Sequence, residues 1–293
     1  MSDSKKIKRL SFFGLLGAAL FWGISFPATK VIEDLPTFYI ISIRFIVASI
    51  ALSVIFHKSF KNCNKQILKS AFLLSFCIFA MYIFATVGIK YTTSARASFF
   101  TCLTFLIVPF LNLIVYKIKM TKIIIISVLI CLMGIFLLSY TPETGGFFLG
   151  IGDILCILAS LAGSLHIIFL ERVMQKERMD SILFTIFLMM FIALWGTAAA
   201  IFTGSFANVA ATPFSIGTVI FIGLFCSAAA FLLQSICQKY VPSNRVGIIL
   251  AMEPASGCVF SVIFLGDRLS MYGWVGAILI MSSLLYMEIA TYY

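Results

Sequence analysis

Apolar residues in this chain come in long unbroken runs. Leu10–Ala28 and Phe214–Gln238 contain no Asp, Glu, Lys or Arg at all. About twenty apolar residues in a helix span the hydrocarbon core of a bilayer, and these runs have that length. They predict ten helical segments, at 10–31, 36–56, 67–89, 95–116, 121–140, 149–170, 181–203, 215–238, 244–265 and 271–291. The runs are continuous rather than alternating, which favours helices over a β-barrel. The polar gaps between them are too short to hold a soluble domain. The fold class expected is an all-α integral membrane protein.

A repeat organises the segments. Lys90-Tyr91-Thr92-Thr93-Ser94-Ala95-Arg96-Ala97 returns as Lys239-Tyr240-Val241-Pro242-Ser243-Asn244-Arg245-Val246, with Lys, Tyr, Ser and Arg in register 149 residues on. The offset is about half the chain, so residues 1–144 and 145–293 read as two copies of five segments each. An odd number per copy makes the second copy enter the membrane in the opposite sense. The expectation is an inverted repeat around a central cavity, the layout of a secondary transporter.

Charge orients the segments. Basic residues gather in the tail (Lys5, Lys6, Lys8, Arg9) and in every second loop (Lys58 to Lys69, Lys117 to Lys122, Arg172 to Arg178, Lys239, Arg245), whereas the other loops hold only Lys30, Lys90, Arg96 and Arg268. The positive-inside rule then puts both termini in the cytoplasm, in a multi-pass protein of the cytoplasmic membrane. The net charge of +10 faces the anionic inner leaflet and calls for no nucleic-acid partner. The basic start before Leu10 is read as the flank of the first span rather than a cleaved leader. Composition agrees, with 62% hydrophobic and 11% charged residues and a mean hydropathy of +1.12. The eight cysteines are scattered, with no CxxC pair and no Cys/His cluster, so neither a metal nor another cofactor is expected. No Walker-type loop suggests an ATP motor, and no HExxH, GxSxG or paired intramembrane acids suggest an enzyme.

Two further stretches carry a resemblance. They are Trp22-Gly23-Ile24-Ser25-Phe26-Pro27-Ala28-Thr29-Lys30 with Pro36 and Arg44, and Glu253-Pro254 with Gly266-Asp267-Arg268-Leu269-Ser270, Gly273 and Gly276. Together with the KYTTSARASF stretch they resemble the EamA family of the drug/metabolite transporter superfamily, from Leu10 to about Tyr286. Asp267 stands where the family usually has Glu. The resemblance implies a ten-helix carrier with a central cavity, often an exporter of amino acids or related metabolites. Small multidrug resistance members of the superfamily use a Glu in their first helix. The first segment here has no acidic residue, so proton antiport by that route is excluded.

Candidate residues follow from the repeat and from polar positions inside apolar runs. The offset sets Trp22 opposite Gly163, Ser25 opposite His166 and Tyr82 opposite Phe231, which nominates Trp22, Ser25, Tyr82, His166 and Phe231 as cavity lining. Gln234 reads as a substrate contact or an interhelical hydrogen bond. Glu253 reads as an amine or proton site, or as a helix-locking hydrogen bond beside Pro254. His166 lines the cavity or bonds a backbone carbonyl. Pro109 and Pro254 each remove a helical hydrogen bond and are either gating kinks or static bends. Arg44 is read as structural, snorkelling outward or pairing with Glu33 or Asp34. Asp153 is read as a helix-start residue.

The leading reading is a transporter of small metabolites, with amino acids first, working by alternating access. A proton-coupled antiporter of aromatic or cationic drugs is the alternative. The partners expected are a small-molecule substrate and the lipid bilayer. An internal repeat makes a monomer sufficient and leaves an oligomer open. Cysteines introduced at Lys90–Ala95 and at Lys239–Ser243 should be labelled from opposite faces of the membrane; labelling from the same face contradicts the inverted repeat.

Overall fold

A computed structural model describes residues 2–117, 119–141, 146–147, 149–177, 179–207, 209–250, 252–268 and 270–292. Helices fill all ten expected segments. In chain order they are α1 (Ser2–Lys30), α2 (Thr37–Ile55), α3 (Lys65–Gly88), α4 (Ser94–Thr101), α5 (Thr104–Tyr116), α6 (Lys122–Ser139), α7 (Ile151–Met174), α8 (Ser181–Phe202), α9 (Pro213–Gly223), α10 (Ala230–Cys237), α11 (Ser243–Leu250), α12 (Met252–Leu265) and α13 (Met271–Tyr292). A π-helical turn, Leu224–Ala229, joins α9 to α10. Among the described residues the one departure from an all-helical chain is a two-residue antiparallel ladder, Tyr140–Thr141 against Gly146–Phe147, between the halves.

Caps set several helix starts. Asn64 accepts from the Ile67 N–H at 2.9 Å to open α3. Asp180 accepts from Ile182 and Leu183 at 2.9 and 3.1 Å to open α8. Thr212 and Ser215 cap each other's backbone around Pro213, so α9 starts two residues before the expected 215. α7 runs a turn past its expected end because Leu170, Val173 and Met174 are buried there.

Eight helical stretches are long and apolar enough to cross a membrane, and Lys122–Leu137 and Met271–Ser283 form two shorter apolar stretches. Large apolar side chains point outward along the bundle, among them Phe13, Val54, Ile114, Leu129, Leu194, Ile201 and Ile263. In water this surface would be a liability; in lipid it is the expected exterior. The chain is a multi-pass membrane protein.

The principal pairings are α6 with α13, α2 with α8, α3 with α7, α1 with α10 and α12, α7 with α4 and α5, α2 with α9 and α3 with α8. Exchanging each of the ten segments for its counterpart in the other half leaves this set unchanged. Helix limits follow the same spacing: the starts of α4 and α11, Ser94 and Ser243, and the ends of α5 and α12, Tyr116 and Leu265, each lie 149 residues apart. The two copies of the Lys-Tyr-Ser-Arg motif lie at opposite ends of α7. Thr92 and Arg96 bond Asp153 near its start, and the Ser243 N–H bonds Glu171 near its end. Eighteen residues separate Asp153 from Glu171, which is about 27 Å along a helix.

Lipid offers little hydrophobic reason for one helix to seek another, so close contact depends on small residues. At Gly23 in α1 an added Cβ would lie 2.9 Å from both Glu253 O and Gly257 N of α12. Backbone would have to move. Gly217 in α9 has nothing within 4 Å of such a Cβ. Gly23→Ala should therefore lower the melting temperature in detergent by several degrees, an overpacking cost of about 1–3 kcal/mol. Gly217→Ala should leave it unchanged or slightly raised. Equal effects would contradict the tight α1–α12 crossing.

Candidate functional site

Nine helices, α1 to α5, α7 and α10 to α12, converge on one internal cavity. All seven nominated binding residues line it: Trp22 and Ser25 from α1, Tyr82 from α3, His166 from α7, Phe231 and Gln234 from α10, and Glu253 from α12. The cavity offers about 110 Å³ to the centres of water-sized spheres, room for several waters at roughly 10–15 Å³ each.

Phe231 is the aromatic hub. Its ring centroid lies 5.1 Å from Trp22, 6.2 Å from Tyr82 and 6.1 Å from His166. Tyr82 also meets Phe45 edge-on at 4.8 Å. These contacts hold the rings in place. Polar atoms between them lack partners: Trp22 Nε1, both ring nitrogens of His166 and Gln234 Oε1 are buried without a hydrogen bond among the described residues. The carbonyl bond considered for His166 does not form there, and the Gln234 oxygen takes no part in an interhelical bond. Glu253 also lines the cavity, and its backbone oxygen accepts from Ser256 at 2.8 Å. Among the described residues the locking bond considered for its carboxyl is not made.

The prolines sit apart. Pro109 and Pro254 are buried and neither lines the cavity, although Pro254 follows Glu253. In the first half the helix is interrupted at Cys102–Leu103, upstream of Pro109. Hydroxyls manage that break. Thr101 Oγ1 lies 2.9 and 3.0 Å from the Ala97 and Ser98 carbonyls. Thr104 Oγ1 lies 2.8 Å from Thr101 O and 3.3 Å from Ser160 O of α7. Such back-bonding bends helices and satisfies backbone that has lost its own partner. Thr101, Cys102 and Thr104 face the cavity. In the second half α11 ends at Leu250 and α12 begins at Met252, and Ala251 lies outside the described residues.

Arg44 departs from its expectation. It neither snorkels outward nor pairs with Glu33 or Asp34. It is 2% exposed and lines the cavity. Its Nε donates to Ser227 Oγ at 2.5 Å, and Nη2 donates to Tyr82 Oη and the Cys226 carbonyl, both at 3.1 Å. The nearby Glu33 instead pairs with Lys30 at 2.6 Å. The signal was present in the sequence, since a charge inside an apolar run is a functional candidate by default. The π turn that receives it had no comparable signal.

Polar belts flank the cavity. At one end Lys30 donates to Ile89 O, Lys90 to Leu35 O, and Arg96 bridges Asp153 at 2.6 Å. Burial lowers the pKa of Lys90, against the pull of Glu33 and Asp34. Asp153 also closes the start of α7, accepting from the Gly150 N–H at 2.9 Å. At the other end Asn112 donates to Ser243 and Asn244 at 3.0 and 2.6 Å, and Arg172 stacks on Tyr116 at 4.2 Å.

A helical membrane bundle around a central cavity studded with unsatisfied polar groups is the build of a transporter. The sequence profile of the EamA-like transporter family matches residues 9–140 and 150–288. The chain belongs to that family. It is 29% identical over 283 residues to an uncharacterized transporter of Archaeoglobus fulgidus, covering 94% of this chain and 85% of the relative. It is 22% identical over 275 residues to the uncharacterized transporter YetK of Bacillus subtilis, covering 91% and 83%. A solved crystal structure superposes with a TM-score of 0.72 at 15% identity over 96% of each chain, which supports the fold alone.

If the nitrogens of His166 have no protein partner, an apolar ring in their place should cost little. His166→Phe should leave the melting temperature of the solute-free protein unchanged or raised, because it removes unsatisfied polar atoms. A drop of several degrees would mean that His166 holds the bundle together.

Proposed function

We propose that this transporter is a secondary carrier of small polar metabolites, with amino acids or related compounds as its first candidate cargo, and that it exports or exchanges them across the cytoplasmic membrane by alternating access. The observation that carries the reading is the set of buried polar atoms, on α1, α7 and α10, that converge on one cavity without partners among the described residues. Buried polar groups are almost always satisfied. A polar solute, with its waters, is the group able to satisfy these.

Symmetry supports the mechanism. The pairing of helices is unchanged when the halves are exchanged, and the two motif copies sit at opposite ends of α7. An inverted pair of five-segment repeats, 1–144 and 145–293, accounts for both. Two packings related by such symmetry lie close in energy, and solute shifts the balance between them. In this cycle Pro109, Pro254 and the interruption at Cys102–Leu103 serve as the gating bends. The bias of basic residues toward alternate loops supports cytoplasmic termini on this reading. A single chain suffices for this cycle.

One observation favours a second reading. Glu253 shares the cavity with the aromatic group Trp22, Tyr82 and Phe231, a suitable wall and counter-charge for an organic cation exchanged against protons. Counterflow in proteoliposomes separates the two. Vesicles loaded with amino acids, nucleosides and organic cations are assayed with and without a pH gradient. The first reading predicts exchange of one metabolite class without a gradient, abolished by His166→Ala. Cation uptake only with a gradient, lost in Glu253→Gln, would replace it with the antiporter.

A further inference from the structure

Arg44 is a fixed cation built into the wall of the cavity. Its guanidinium stays charged at any pH the cell meets. A charge at this depth is costly unless it is paired. Among the described residues Arg44 makes no ion pair: Glu253 lines the same cavity, but the hydrogen bonds of the guanidinium go elsewhere. Neutral groups hold it instead. Ser227 and the Cys226 carbonyl come from the π turn, where the widened bonding pattern lets a carbonyl turn away from its own helix. Tyr82 offers its hydroxyl, and its ring centroid lies 4.6 Å from the guanidinium carbon. The helices are locked together at this point, since a Cβ on Gly223 would lie 2.8 Å from Arg44 O.

These bonds use Nε and Nη2. No described hydrogen bond engages Nη1, and the side chain lines the cavity. Three neutral acceptors aim the cation without neutralising it. We infer that Arg44 is the anion-recognition group of the cavity, and that the carrier takes solutes bearing a carboxylate. The inference rests on the cavity being the solute site. It specifies what the proposed function leaves open: a carboxylate docks on Nη1, the carboxamide of the same solute loses the charge-assisted bond, and a monocation is repelled.

The test uses the purified full-length protein in detergent and matched probes. Leucine, phenylalanine, threonine and lactate are each compared with their carboxamides, and tetraphenylphosphonium is the cation. The readout is the concentration of probe that raises the melting temperature. At least one carboxylate should stabilise the wild type, and its amide should require about tenfold more or fail to stabilise, the scale of one charge-assisted hydrogen bond. Arg44→Gln should erase the difference. Arg44→Lys should keep the preference at weaker affinity, and it carries the test if the Gln variant does not fold. Equal stabilisation by amides, stabilisation by the cation alone, no stabilisation by any carboxylate, or a preference that survives Arg44→Gln would each overturn the inference. Counterflow of the same probes keeps the two readings apart. Carboxylate binding without exchange removes the transport cycle and leaves the anion site standing, whereas exchange confined to the cation removes the anion site and leaves transport.

Discussion

The structure depends on one constraint: inside a bilayer the chain must satisfy its own backbone. A continuous helix does this automatically, so irregular backbone is tolerated only where side chains or a wet cavity replace the missing bonds. The described departures from regular helix within the spans obey the rule. At Cys102–Leu103 the hydroxyls of Thr101 and Thr104 meet carbonyls of α4 and of Ser160 in α7. At Leu224–Ala229 the π turn presents the Cys226 carbonyl and the Ser227 hydroxyl to Arg44. Thr101, Thr104 and Arg44 all line the cavity. The irregular backbone and the cavity are therefore one feature, because a wet cavity is where broken helix can be accommodated.

The same constraint explains how much the sequence disclosed. Unbroken apolar runs left no alternative to membrane helices, and the ten segments follow from them. Pairing through the repeat brought together Trp22, Ser25, Tyr82, His166 and Phe231, residues far apart in the chain that line one space. Periodicity could not reveal where helices break. Proline marks lost hydrogen bonds, yet the first-half interruption lies upstream of Pro109, where hydroxyls rather than a ring decide the bend. The expectation for Arg44 fails because its acidic neighbours Glu33 and Asp34 are close in sequence, whereas its partners lie 38, 182 and 183 residues away. Local charge matching is a weak guide when tertiary contacts supply the acceptors.

Burial of unpaired polar groups is expensive, and among the described residues four such atoms, on Trp22, His166 and Gln234, border the cavity. Aromatic contacts around Phe231 fix the rings, so the unpaired atoms of Trp22 and His166 cannot turn away to find partners. On the proposed cycle the solute relieves this frustration, giving it leverage over the packing of the two halves. The polar belts are what such a motion would have to break and remake: Arg96–Asp153 at one end, and Asn112 with Ser243 and Asn244 at the other. Each belt joins an element of the first half to one of the second.

Access to the cavity from the two faces of the membrane tests the central claim most directly. In a variant keeping Cys102, which lines the cavity, as its one cysteine, a membrane-impermeant maleimide is applied from either side of oriented vesicles. The account predicts labelling from both sides, slowed from both by a solute that the protein exchanges. Labelling from one side alone, unaffected by any exchanged solute, would contradict a central cavity opened alternately to the two faces.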